Sequence, residues 1–257
     1  MIEWMPDKDY GRFPPEYLES ALYYLQESPF EILTYNELPW GDDRNYADGY
    51  PGEYGRWVAN RDASKTYVML QHDVDMFPGR TLRILKLEAE LSIRSNVMIF
   101  KDYHDRASLE LGGELIFEEY LTEEIIKAFQ EYERMGFVIG YHVNVYEQTG
   151  YDIERAQEKY HNDVEYLRRF FDIKYCSPHG GARDANGKSN YILDLPDGLN
   201  LKWVNNFHGI TCKGTYSDSM LFREGKTAKD FLGMCEPGNR YQVLMHPQHY
   251  YEVYKSW

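Results

Sequence analysis

The chain has 257 residues, 43% of them hydrophobic, which suffices for one sizeable core and fits a single α/β barrel. Forty-two acidic against 28 basic residues leave a formal net charge of −14. A surface that acidic repels phosphate backbones and anionic lipid, which argues against nucleic-acid and membrane-surface roles.

Cys176, Cys212 and Cys235 are odd in number and lack Cys-x-x-Cys spacing. They point to reduced thiols rather than a disulfide framework or a thiolate zinc site. Met1–Asp7 has neither a basic region nor an apolar one, and no run approaches the roughly 18 apolar residues of a membrane span. The chain therefore reads as cytoplasmic. Most of its 24 tyrosines are expected to pack with the hydroxyl at the surface.

In chain order, residues 1–65 read as an N-terminal extension packed on a barrel domain of residues 66–257. Pro14-Pro15 precede a helix expected over Glu16–Gln26, Phe30–Tyr35 suits a short strand, and Leu38–Arg61 reads as loop. A regular alternation follows. Strand Tyr67–Asp73 leads to helix Gly79–Ile93, with Leu82, Leu85, Leu87 and Leu91 on its apolar face, and then to strand Asn96–Phe100. Thr122 is a good N-cap for helix Glu123–Met135, which Gly136 ends before strand Phe137–Val143. Asp152 caps a long helix expected to reach Phe170, followed by strand Ile173–Ser177. Two more strands are expected near Leu201–Thr211 and Tyr241–Met245, with a weaker helix around Thr227–Met234. Tyr216-Ser217-Asp218-Ser219 reads as an Asp-containing turn.

Strand–helix–strand alternation implies parallel strands with right-handed crossovers. The expected fold class is α/β: a distorted or incomplete (β/α) barrel of about seven parallel strands plus the N-terminal extension. No Gly-x-Gly-x-x-Gly follows a strand, so dinucleotide binding has no support.

Four strand-like runs end in histidine: His72, His142, His179 and His246. Side chains alternate along a strand, so Asp73 and Asp75 project to one side, about 6–7 Å apart, while His72 faces the other. Two carboxylates that close repel unless a cation or proton lies between them. His142, above the small Gly140, suits a divalent-metal ligand beside Asp75. At His246, Pro247 breaks the strand and presents an imidazole suited to proton donation. Ser177-Pro178-His179-Gly180-Gly181 brings another histidine to the same rim.

Together these segments resemble the polysaccharide deacetylase superfamily, carbohydrate esterase family 4, in the branch whose first motif reads His-Asp-Val-Asp. Gln71-His72-Asp73-Val74-Asp75 matches the first motif, Ile139-Gly140-Tyr141-His142 the second and Leu244-Met245-His246-Pro247-Gln248 the last. Ser177-Pro178-His179-Gly180 matches a Ser-x-His-Gly signature. The likeness spans about residues 65–250. It implies Asp73 as catalytic base, Asp75 and His142 as metal ligands and His246 as general acid.

Two departures stand out. The family's second histidine, four residues after the first, is Tyr146 here, so either His179 or another residue supplies the third ligand, or metal binds weakly. The arginine that supports the base is absent from its usual place, with Arg183 as a substitute. Tyr146, Arg183 and Asp218 are expected among the substrate contacts.

The resemblance implies a hydrolase that removes an acetyl group from an N-acetylated or O-acetylated sugar or glycan, acting on a linear amide C–N bond in the first case. It would use one divalent ion, zinc first, with cobalt, nickel or manganese as alternatives. The expected partner is a carbohydrate or small N-acylated substrate. Two other readings stay open: a degenerate carbohydrate-binding relative without turnover, and a cytosolic amidohydrolase acting on a small substrate.

Overall fold

The computed structural model describes residues 13–27, 29–38, 40, 57, 59–104, 117–118, 120–181, 183–204, 212–221 and 226–250. Most of the expected loop 38–61 and the far end of the strand expected near 201–211 lie outside them.

Helix α1 (Pro15–Leu25) starts with proline in its first turn and buries Leu18, Ala21, Leu22 and Leu25, one stripe at helical spacing. Strand β1 (Phe30–Ile32) follows, then a 3₁₀ turn at Tyr35–Glu37 closed by the Thr34–Glu37 capping box. Strand β2 (Thr66–Val74) is buried along its whole length. Helix α2 (Pro78–Glu90), strand β3 (Asn96–Ile99) and a short antiparallel ribbon of β4 (Tyr103–His104) and β5 (Phe117–Glu118) come next. Thr122 caps α3 (Glu123–Arg134) by accepting from the Ile125 amide.

Strand β6 (Val138–Val143) leads through the one-turn α4 (Val145–Gln148) to α5 (Ile153–Leu167), where Asp152 accepts from the Glu154 and Arg155 amides. The remaining elements are β7 (Tyr175–Pro178), β8 (Lys202–Trp203), β9 (Gly214–Ser217), α6 (Asp218–Leu221), α7 (Ala228–Leu232) and β10 (Arg240–Met245). The segment read as an Asp-containing turn thus ends one strand and opens a helix. With a single large apolar residue, Gly214-Thr215-Tyr216-Ser217 carries no alternation from which a strand can be read.

The strands lie in the order β8-β7-β6-β3-β2-β10-β9, all parallel, with β1 pairing the first third of β2. This is an incomplete (β/α) barrel. Beneath the helices, Val68, Leu70, Val243 and Met245 pack with Leu22 and Ile84, and Val74, Val97, Ile99 and Ile139 pack with Leu85 and Phe129. Each such buried side chain contributes about 1.5–3 kcal/mol.

Inside the curl lie Leu33, Tyr35, Tyr67, Met69, Met98, Val138, Tyr175 and Val204. Gly140 is required there. A Cβ at that position would fall 2.6 Å from Met98 Sδ and 3.0 Å from the Tyr175 carbonyl oxygen.

A polar layer crosses this interior. Gln242 Nε2 donates to Tyr35 Oη (3.0 Å), to Gln71 Oε1 (3.1 Å) and to the Val204 carbonyl (3.3 Å). Tyr35 Oη also donates to Gln71 Oε1. The layer ties the chain beyond β8 to β10 and forms the floor of the rim above it. Among the described residues no helix is long and apolar enough to cross a membrane.

Candidate active site

Parallel strands put all their C-terminal ends on one side of the sheet, and side chains from several of them converge there. β2 supplies Asp73 and, one residue past its end, Asp75. β6 supplies His142, while β7 and β10 are followed directly by His179 and His246. His142 Nε2 lies 3.2 Å from Asp75 Oδ1 and 3.7 Å from Asp73 Oδ2. Asp75, His142 and His179 each turn one ligand atom toward the others, all within 4.8 Å.

Hydrogen bonds on the far side fix each group. His142 Nδ1 lies 2.9 Å from the Ser177 carbonyl, an acceptor only, so Nδ1 carries the proton and Nε2 of the neutral ring presents a lone pair. His179 Nδ1 donates to Asn144 Oδ1 at 3.2 Å, and Asn190 Nδ2 donates to the same oxygen at 3.1 Å. Asp75 Oδ2 accepts from Gln248 Nε2 at 2.9 Å. Phe100 stacks on His142 (centroids 4.9 Å, planes 7° apart) and meets His179 edge-on at 5.6 Å, forming an apolar wall. Gly181 leaves His179 its space, because a Cβ there would lie 2.7 Å from the ring Cε1.

Two atoms are left over. Asp75 Oδ1 and His142 Nε2 are both buried and make no hydrogen bond. Orphaned buried polar atoms cost about 1–3 kcal/mol each, so a pair of them facing one another needs a common partner. For bonds of about 2.0–2.2 Å, the edge between two ligands of a tetrahedral ion is about 3.4 Å. The 3.2 Å separation fits that edge. Two imidazoles and a carboxylate, with the imidazole Nδ1 protons held by oxygen acceptors, form a donor set suited to a borderline divalent ion.

Burial and neighbouring charge pull against one another at these ligands. Burial pushes the Asp75 carboxyl up, but His179, His142 and His246 outweigh it and hold it far below the usual carboxylate range. Burial lowers His142, yet Asp73 and Asp75 raise it above its ordinary value. For His179 burial prevails and the pKa falls, which keeps its lone pair available.

Asp73 and His246 flank this cluster. Asp73 Oδ1 accepts from Gln71 Nε2 at 2.6 Å, leaving Oδ2 turned toward His142. His246 Nδ1 donates to Asp218 Oδ1 at 2.5 Å, and its backbone amide donates to Asp218 Oδ2 at 2.6 Å. Burial lowers the His246 pKa, but Asp218 dominates and it is pushed up to about 10. Its Nε2 lies 3.8 Å from Asp75 Oδ2.

Arg183, Tyr146 and Asp218, expected among the substrate contacts, each have a partner within the chain. Arg183 donates to the Gly187 carbonyl at 2.9 Å in an exposed turn, and the side chain on Asp73 is Gln71 instead. Tyr146 Oη donates to Asp184 Oδ2 at 3.0 Å. Asp218 is fully buried, with both oxygens engaged by His246. His72 faces the helices and pairs with Glu88 at 2.7 Å. Gln71, Phe100, Asn144 and Gln248 were not singled out from sequence. Only Gln71 had a signal, since it stands two residues before Asp73 on the same strand face.

No protein-family model and no curated protein matches the sequence. Among solved structures, the chain is similar to a family 4 carbohydrate esterase from Bacillus anthracis, at 15% identity and TM-score 0.41 over 72% of this chain and 70% of that one. It is similar also to a family 4 esterase from Streptococcus mutans, at 14% identity and TM-score 0.44 over 75% and 78%. A third is a mutant of a family 4 pseudoenzyme with restored enzymatic activity, at 11% identity and TM-score 0.38 over 70% and 56%.

Proposed function

We propose that this protein is a metal-dependent hydrolase that removes an acetyl group from an acetylated sugar or glycan. The carrying observation is the orphaned pair, Asp75 Oδ1 and His142 Nε2, with His179 beside it and a base and an acid on its flanks. Asp75, His142 and His179 would hold the ion, zinc before cobalt, nickel or manganese. The sugar class rests on the motif resemblance in the sequence.

When bound, a divalent ion there supplies Lewis acidity that lowers the pKa of a water from about 15.7 toward 7. Asp73, its Oδ1 occupied by Gln71, has Oδ2 free to take the proton of the attacking water. An amine or alkoxide leaves poorly as an anion, so the leaving group needs a proton. His246, kept protonated by Asp218, donates it from Nε2. Phe100 keeps the cluster dry on one side, which strengthens every charge interaction in it.

Metal analysis of freshly purified protein, paired with an acetate-release assay on acetylated glucosamine oligomers, tests this reading. Near one equivalent of zinc or a similar ion is expected, absent in Asp75→Ala and His142→Ala, together with acetate release that needs the ion. Metal-free protein that binds glycans without releasing acetate would support a binding relative instead.

A further inference from the structure

Among the described residues one other group of ligand-bearing side chains converges: Asp218, His246 and His249, each with a ligand atom within 4.8 Å of the others. Asp218 opens α6 and is fully buried. His246 follows β10, and His249 closes the 3₁₀ turn Pro247–His249. That turn is fixed by Pro247 and by the His249 amide donating to the His246 carbonyl at 2.9 Å. It brings the two rings to a centroid distance of 5.4 Å.

Spacing decides what occupies this group at rest. The 2.5 Å between His246 Nδ1 and Asp218 Oδ1 suits a charge-assisted hydrogen bond. It is about 1 Å shorter than the ligand–ligand edge of a tetrahedral ion, about 3.4 Å. A proton is therefore the resting occupant, and a metal ion must displace it and open the pair. At Asp75 and His142 the separation is already 3.2 Å, so that site fills first.

We propose that at elevated concentration a second borderline divalent ion, zinc being the probe, binds between Asp218, His246 and His249 and inhibits the enzyme. The Nδ1 proton of His246 passes to solvent, and Nδ1, one Asp218 oxygen and a His249 nitrogen bind the ion. Opening the pair by about 1 Å swings the His246 ring from its position facing Asp75, and a misplacement of that size costs on the order of 10²-fold in rate. The inhibition rests on the hydrolase reading above; the second ion does not.

The test dialyses the full chain against rising free zinc and measures metal per chain. Wild type should bind one equivalent at low zinc and a second at least about tenfold more weakly. His249→Ala and His249→Gln should each lose the second equivalent and keep the first. His142→Ala should lose the first, and His161→Ala, at an exposed histidine paired with Glu165, should keep both. Acetate release by wild type should fall about 10²-fold as the second equivalent fills, whereas His249→Gln should hold its own low-zinc rate. A second equivalent that persists in both His249 variants overturns the proposal, as does wild type that stops in millimolar zinc at one equivalent lost in His142→Ala and kept in the His249 variants. A missing first equivalent, with the second still dependent on His249, overturns the hydrolase reading alone.

Discussion

His142 Nε2 faces Asp75 Oδ1 at 3.2 Å with no hydrogen bond joining them, because the ring's Nδ1 proton is already committed to the Ser177 carbonyl. Strand pairing enforces this. His142 and Ser177 stand opposite one another in the β6–β7 register, so the same ladder that builds the sheet also aims the imidazole.

Asn144 plays the corresponding part for His179, accepting its Nδ1 proton. Losing a partner that orients a ligand typically costs about 10–100-fold in metal affinity. Asn144→Ala should weaken the first zinc equivalent by that factor, measured by competition with a chelator, while far-UV circular dichroism stays unchanged.

The proton donor can be separated from the metal cluster. His246→Gln should lower kcat for acetate release by about 10²–10⁴-fold and leave the first metal equivalent in place. Unchanged kcat in a metal-loaded variant would remove His246 from the mechanism.

Gly140 makes a purely steric prediction. In Gly140→Ala the new methyl meets Met98 Sδ at 2.6 Å and the Tyr175 carbonyl at 3.0 Å, and only the methionine can yield. Overpacking of this kind costs about 1–3 kcal/mol, to be read from a lowered urea midpoint.

Asp102 supplies a pH test away from the site. Burial raises its carboxyl, but hydrogen bonds and charge from Lys101 and Lys159, at 2.7 and 3.0 Å, outweigh burial and lower it. The stabilisation is present above the unfolded-state pKa, about 3.9, and disappears as pH falls through the lowered folded-state value. Asp102→Asn should therefore unfold more easily than wild type at pH 7, by about 1–2 kcal/mol. The gap should narrow steadily below about pH 4, as followed by urea unfolding across that range.

Periodicity and caps made much of the fold readable. The helices opened by Thr122 and Asp152 begin where those residues place them, because capping is settled within three or four residues of chain. Asp73, Asp75 and His142 were readable as rim residues for the same reason, since alternation along a strand fixes the face each presents. Strand β9 was missed, because its four residues lack an apolar pattern and its strand character comes from pairing with β10.

The sequence by itself determined the alternating elements, the faces of β2 and β6, and the supply of carboxylates and imidazoles to one end of a parallel sheet. Only the tertiary structure decided which atoms remain unpaired and which residues hold the others in place. Gln248 reaches Asp75 across 173 positions, and Asp218 reaches His246 across 28. No local pattern encodes such contacts; they exist once the strands have curled and their ends have met.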